Sequence, residues 1–195
     1  MHNSENFSNF ATVLNLNFNY FMNDYLIYLT LPPYLAQWYA NECTQIHNRD
    51  KDVCPREIYR FPTPVVPVRG SQESDVINMH LAKQPNDKPA PIPSDATIAI
   101  VIPSFTGKPV EYYNYMPSSG LEHLAETIRY RFKSELFEDI HEARRKTPSA
   151  RIDLLVTAWM EDHCIEYDDT NFNTLLKIYQ RRRDVYRKTP KVKKK

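Results

Sequence analysis

Residues 97–140 read TIAIVIPSFTGKPVEYYNYMPSSGLEHLAETIRYRFKSELFEDI, and this stretch decides the fold class. Its first six residues are apolar or β-branched throughout and stop at Pro103, as a strand would. Its second half is periodic instead. Leu121, Leu124, Ala125, Ile128, Phe132, Leu136, Phe137 and Ile140 keep one helical face apolar, while Arg129, Lys133, Glu138 and Asp139 fall on the other. Ser119 and Glu122 stand in capping-box relation at the start of that helix. A strand that hands over to a long helix predicts an α+β chain.

Toward the N-terminus, residues 25–31 (YLIYLTL) form a second strand candidate, apolar at nearly every position as if covered on both faces. It is expected beside 97–102 in one sheet. Pro32 and Pro33 end it, and Pro33 suits the first turn of a helix that carries Tyr34, Leu35, Trp38 and Tyr39 to about Cys43. Residues 44–64 read as a surface loop and 64–68 (PVVPV) as an edge strand. Gly70 and Ser71 supply a turn and an N-cap for a helical stripe of Val76, Ile77, His80 and Leu81. Residues 84–95 (QPNDKPAPIPSD) are a Pro-rich connector.

Toward the C-terminus, Pro148 and Ser149 break the long helix, and a second one carries Ile152, Leu155, Val156 and Trp159. Residues 162–168 make the next turn, with Ile165 as its buried anchor. A third helix opens at Asp168 or Asp169, whose carboxylates suit the positive end of the dipole, and its stripe is Phe172, Leu175, Leu176, Tyr179 and Tyr186. The predicted organisation is a small mixed body (22–117) with few strands, followed by a helical region (118–188). The long helix covers the sheet or links it to the closing pair. Residues 1–21, with six of the seven Asn before Asp24 and no Lys or Arg, read as an extension ahead of a native start near Met22. Residues 189–195 read as a disordered basic tail.

Charge points to a partner. Residues 171–195 hold ten Lys or Arg against Asp184 alone, a net of +9. The whole chain is +1, so residues 1–170 sum to −8. A basic end on an acidic body attracts polyanions by releasing their counterions. A solubilising tail, or an arm that docks on an acidic surface, is the plainer reading of the same charges.

Two helices joined by an acidic turn, the second becoming basic, outline a helix-turn-helix-like pair closing the chain. With its apolar stripe inward, the third helix turns Asn171, Asn173, Thr174, Lys177, Gln180 and Arg181 outward. Asn173, Lys177, Gln180 and Arg181 are the expected base contacts, and Arg182, Arg183, Arg187 and Lys188 the expected phosphate contacts. The pair departs from the usual motif. Setting Ala158 at the small-residue position places Asp162 where Gly is common, and Glu161 and His163 where apolar residues are usual. Double-stranded DNA is the expected partner, with a homodimer reading two half-sites.

Other classes find less support. Three Gly leave no phosphate loop, and Cys43, Cys54 and Cys164 lack zinc-finger spacing and suggest a reducing, cytoplasmic setting. His163 with Cys164 and His141 are too scattered to define a metal site, so no cofactor is expected. Glu138, Asp139, Glu161, Asp162, Asp168 and Asp169 read as caps and solvated acids. Ser104 and His47, His80, His123, His141 and His163 form no nucleophile or metal-helix motif, and Tyr179 lacks a recombinase's partner residues, so no enzyme or small-molecule substrate is inferred. Tyr112, Tyr113 and Tyr115 read as a half-buried segment rather than a stacking platform. No segment approaches the roughly 18 apolar residues of a membrane span.

The segments YLTLPPYLAQWYANE, PVRGSQESDVINMHLAKQP, VEYYNYMP and AWMEDHCIEYDDTNFNTLLKIYQRRRDVYRK resemble a group of uncharacterised proteins of Bacteroides-type bacteria, often found near mobile elements. The resemblance spans residues 22–188. It implies a mobile-element or phage-like setting, in which a regulator or a replication or transposition accessory factor is the expected role. It implies no activity and no site residues.

Overall fold

In a computed structural model, residues 25–47, 64–85 and 92–188 are described. The expected extension at 1–21, the start at Met22 and the tail at 189–195 lie outside them. The expected sheet forms: strand β1 (Leu26–Leu29) runs antiparallel to strand β3 (Ile98–Val101), pairing Leu26 with Val101 and Leu29 with Ile98. Thr97 ties off the end of this ladder, its hydroxyl accepting from Leu31 N at 2.7 Å and donating to Leu31 O at 2.9 Å.

Two strand expectations are corrected. Ile27, Leu29 and Leu31 are buried, but Leu26 and Tyr28 are half-buried and Tyr25 is exposed, so β1 is covered on one face and not both. Alternation wins because Leu26 and Tyr28 point to the face opposite Ile27 and Leu29, and that face is only partly covered. In 64–68 only Val65 joins the sheet, through a parallel bridge in which its N–H donates to Ala99 O and its carbonyl accepts from Val101 N. A second ladder was not foreseen. Strand β2 (Ala82–Lys83) pairs with strand β4 (Tyr113–Tyr115), which leaves Tyr113 and Tyr115 half-buried and Tyr112 exposed.

Helix α1 (Pro33–His47) buries Leu35, Trp38 and Tyr39, and helix α2 (Gln72–His80) buries Val76 and Ile77. The N-cap of α2 is Ser71, whose hydroxyl accepts from Ser74 N at 3.2 Å, and the preceding Gly70 takes the left-handed φ of 77° that the turn needs.

Helix α3 (Ser118–Lys146) is the spine. The capping box expected at its start does not form. Pro117 occupies the N-cap with no side-chain bond, so Ser119 already lies in the first turn, where its hydroxyl has no cap to make. Leu124, Ile128, Phe132, Leu136, Phe137 and Ile140 are buried along one face, and the main partners of α3 are helices rather than the sheet. The Phe132 ring meets Tyr34 and Trp38 of α1 at 5.4 and 5.3 Å and Trp159 at 5.6 Å. That makes α3 the link between the body and the closing pair, helices α4 (Ile152–Asp162) and α5 (Asp169–Lys188). One hydrophobic cluster runs from Ile27 to Tyr179.

Candidate functional site

The α4–α5 turn places the side chains that follow. At its start Cys164 takes a left-handed φ of 55°; Cys164 N donates to Glu161 O and Ile165 N to Met160 O at 2.8 Å. These two bonds close α4 as Gly commonly would, and the fully buried Ile165 and Met160 sit on either side of the closure. Asp168 then caps α5, its Oδ1 accepting from Asn171 N at 2.8 Å. Asn171, expected on the outer face, is buried instead: its amide donates to Glu166 O and Asp168 Oδ2. The Glu166 carbonyl in the turn takes one of those donors and the capping carboxylate the other, and helical phase alone does not reveal such a demand.

The inner stripe of α5 is as expected. Leu175 and Tyr179 are buried, and Phe172 and Leu176 are half-buried. Tyr186 is 51% exposed, yet its ring rests on Phe137 at 5.6 Å and His141 at 5.1 Å.

On the outside, Asn173, Lys177, Arg181, Arg187 and Lys188 are exposed and Gln180 is half-buried. The Asn173 amide already donates to Asp169 O at 2.6 Å. Arg183 is half-buried and paired with Asp184 at 3.2 Å, so it is not a free cation. Arg182 is exposed, but it lines a groove of about 710 Å³ with Phe137, Glu138, His141, Glu142, Val185 and Tyr186, away from the Lys177 face. Lys177, Arg181, Asp184 and Lys188 follow one another at helical spacing along a single stripe, with the carboxylate near its middle. Lys177, Arg181, Arg187 and Lys188 have no carboxylate partner among the described residues.

A second site is interior and was not foreseen. Arg131 of α3 donates through Nη1 to Glu73 Oε1 and Oε2 at 3.0 and 3.1 Å and through Nη2 to Glu42 Oε2 at 3.1 Å, and its guanidinium covers the Trp38 ring at 4.8 Å. One turn further, Glu135 lies 3.3 Å from His163 Nε2 and accepts from Trp38 Nε1 at 3.4 Å. The His163 ring stacks on Trp159 at 4.0 Å, and its Nδ1 meets Trp159 O at 2.9 Å. Burial raises the Glu42 carboxyl, helped by the Glu135 charge and opposed by Arg131 and His163. For His163, burial works to lower the pKa, but the bonds to Glu135 and Trp159 O and the two carboxylate charges outweigh it and raise it. The only trace of this cluster in the sequence is the i, i+4 spacing of Arg131 and Glu135 around Phe132.

Neither Cys164 nor His141 joins His163 here. His141 packs on Phe137 and Tyr186. Cys43 is a buried free thiol, whereas Cys164 is disulfide-bonded, which its spacing in the sequence did not reveal. No helix among the described residues is long and apolar enough to cross a membrane. No family model, curated protein or solved structure matches this chain.

Proposed function

We propose that the chain binds duplex DNA by laying α5 against the phosphate backbone. The observation that carries the reading is the exposed set of Lys177, Arg181, Arg187 and Lys188, without a carboxylate partner among the described residues, on a helix whose opposite edge is locked to α3. At 1.5 Å of rise per residue these cations span roughly 17 Å, enough to meet successive phosphates of one strand. Asp184 in the same stripe opposes deep insertion into the groove, and the Asn173 amide is engaged within its own helix. The reading is therefore of phosphate contacts first, with Lys177, Gln180 and Arg181 the side chains nearest to any base edge. The resemblance to the Bacteroides-type group supports a mobile-element or phage-like setting, and a homodimer would double the contacts. Duplex DNA as ligand places the protein in the cytoplasm, where the Cys164 disulfide would be transient.

Anisotropy of a labelled duplex at several salt concentrations tests this. The salt slope should fall by about two in a Lys177→Ala, Arg181→Ala double variant, and again in Arg187→Ala, Lys188→Ala, near 0.9 per lost contact. Equal slopes for all three proteins would remove α5 from the interface. One observation favours a protein-interaction module instead: the groove beside Arg182, where Val185 is 65% exposed. That reading predicts no duplex binding beyond what the terminal lysines give alone.

A further inference from the structure

Glu42, Glu135 and His163 come from α1, α3 and the end of α4, and one donor atom of each lies within 4.8 Å of the other two. An ion with bonds of about 2.0–2.2 Å in a tetrahedral shell holds its donors roughly 3.4 Å apart. His163 Nε2 and Glu135 Oε1 already stand at 3.3 Å. Glu42 has to close in by no more than the difference between 4.8 and 3.4, about 1.4 Å.

The surroundings are those of a prepared donor set. A carbonyl can only accept, so the 2.9 Å contact with Trp159 O puts the proton on His163 Nδ1 and leaves the Nε2 lone pair toward the carboxylates when the ring is neutral. Trp38 Nε1 donates to Glu135, and Arg131 holds Glu42 by Oε2 alone. Arg131 itself is fixed by both oxygens of Glu73 and by the Trp38 face, so Glu42 can turn toward an ion without setting the guanidinium loose.

Charge argues the same way. Glu42, Glu73 and Glu135 contribute −3 and Arg131 +1, which leaves −2 around a neutral imidazole. A divalent cation cancels that, whereas protonating His163 cancels only half. The side chains of Glu42, Glu135 and His163 are 20, 27 and 17% exposed. They are shielded enough for the residual charge to be costly and open enough to admit an ion.

We propose that Glu42, Glu135 and His163 bind one divalent transition-metal ion of the zinc class. One imidazole and two carboxylates suit such an ion better than a thiolate-seeking one, and three protein ligands leave a coordination position for water or a ligand.

The test uses the full, tag-free chain, stripped of metal and dialysed against micromolar Zn2+. One equivalent of zinc should remain per chain. Both tryptophans of the chain touch the site, Trp38 through Glu135 and Trp159 through the His163 ring. Co2+ should therefore quench intrinsic emission, saturate at one equivalent and be displaced by Zn2+. His163→Gln and Glu42→Gln should each weaken binding at least tenfold. Replacing His80, which meets His123 at 2.9 Å and is the competing donor pair, should leave it unchanged. The proposal is overturned if the wild-type chain retains no stoichiometric zinc, or if binding follows His80 instead. It is overturned equally if folded His163→Gln keeps the equivalent. Should both site variants fail to fold, the wild-type cobalt quench decides: no saturation at one equivalent, or no displacement by Zn2+, ends the idea.

Discussion

At Arg131 a single guanidinium meets Glu73, Glu42 and the Trp38 ring, and the Glu73 side chain has no exposure at all. Removing one partner of a buried ion pair strands the other, which costs about 3–5 kcal/mol. Arg131→Met should lose that much stability in urea denaturation, and adding Glu73→Gln should restore more than half of it. A loss below about 1 kcal/mol for the single variant would mean that water reaches Glu73. Cys43 gives a second prediction at this scale. Burial pushes its thiol from 9.0 up to about 12. The folded state thus holds a proton that the unfolded state releases, so stability is intact below pH 9 and falls as pH rises toward 12, by at most about 1.4 kcal/mol per unit. Tyr39 is raised in the same direction, chiefly by burial. Cys43→Ala should flatten the alkaline fall in the urea midpoint, and an unchanged slope would assign the effect to other groups.

Where α2 crosses the start of α3, two elements compete for the same space. A Cβ on Gly120 would stand 2.7 Å from His80 Cβ and 3.0 Å from Met116 Cγ. Ala at a helix interior position gains about 1 kcal/mol over Gly. Here the obstacle is a Cβ fixed to the backbone, and overpacking costs about 1–3 kcal/mol. Gly120→Ala should therefore destabilise despite its propensity, and a raised Tm would show that α2 yields freely. The same region shows what was legible in the chain. The stripe from Leu124 to Ile140 was readable because many apolar side chains repeat one period, and the strands within 25–31 and 97–102 because each is a short apolar run stopped by a proline. Ile165 was readable because an apolar residue stood alone in an acidic turn. The β2–β4 ladder was not, since Ala82 and Lys83 are too few to show alternation. Ser119 and Glu122 matched a capping motif by spacing alone, while Pro117, with φ −67° and ψ 160°, set the helix start two residues earlier. The Arg131 cluster was hidden for a different reason. Glu42, Glu73, Glu135 and His163 are scattered along the chain, and each reads as an ordinary solvated residue until packing brings them together. Asn173 and Arg181 were placed correctly on the outer face, but hydrogen bonds such as that of Asn171 to Glu166 O belong to the turn and not to helical phase.

Across the whole molecule the decisive quantity is the separation of charge. The segment from 171 onward carries +9 and the remainder −8, so copies of the chain have almost no net charge to keep them apart. At about 10 mM salt the Debye length is about 30 Å, and the exposed cations of α5 can sense the acidic body of a neighbour; at about 0.1 M it shrinks to about 10 Å. Sedimentation velocity should therefore show association at low salt that vanishes well before about 0.3 M, where surface charges are screened beyond contact distance. Lys177→Ala with Arg181→Ala should weaken it, because these side chains have no carboxylate partner among the described residues. Duplex DNA added at low salt should dissolve the assembly, since phosphates compete for the same cations. An assembly that persisted unchanged at high salt would instead be apolar in origin, and the exposed Val185 and Tyr186 beside the Arg182 groove would be its natural seat. A chain that stayed monomeric at every salt concentration would mean that the body's acids are too dispersed to present a complementary surface. In that case a homodimer on DNA would have to be held by the DNA itself.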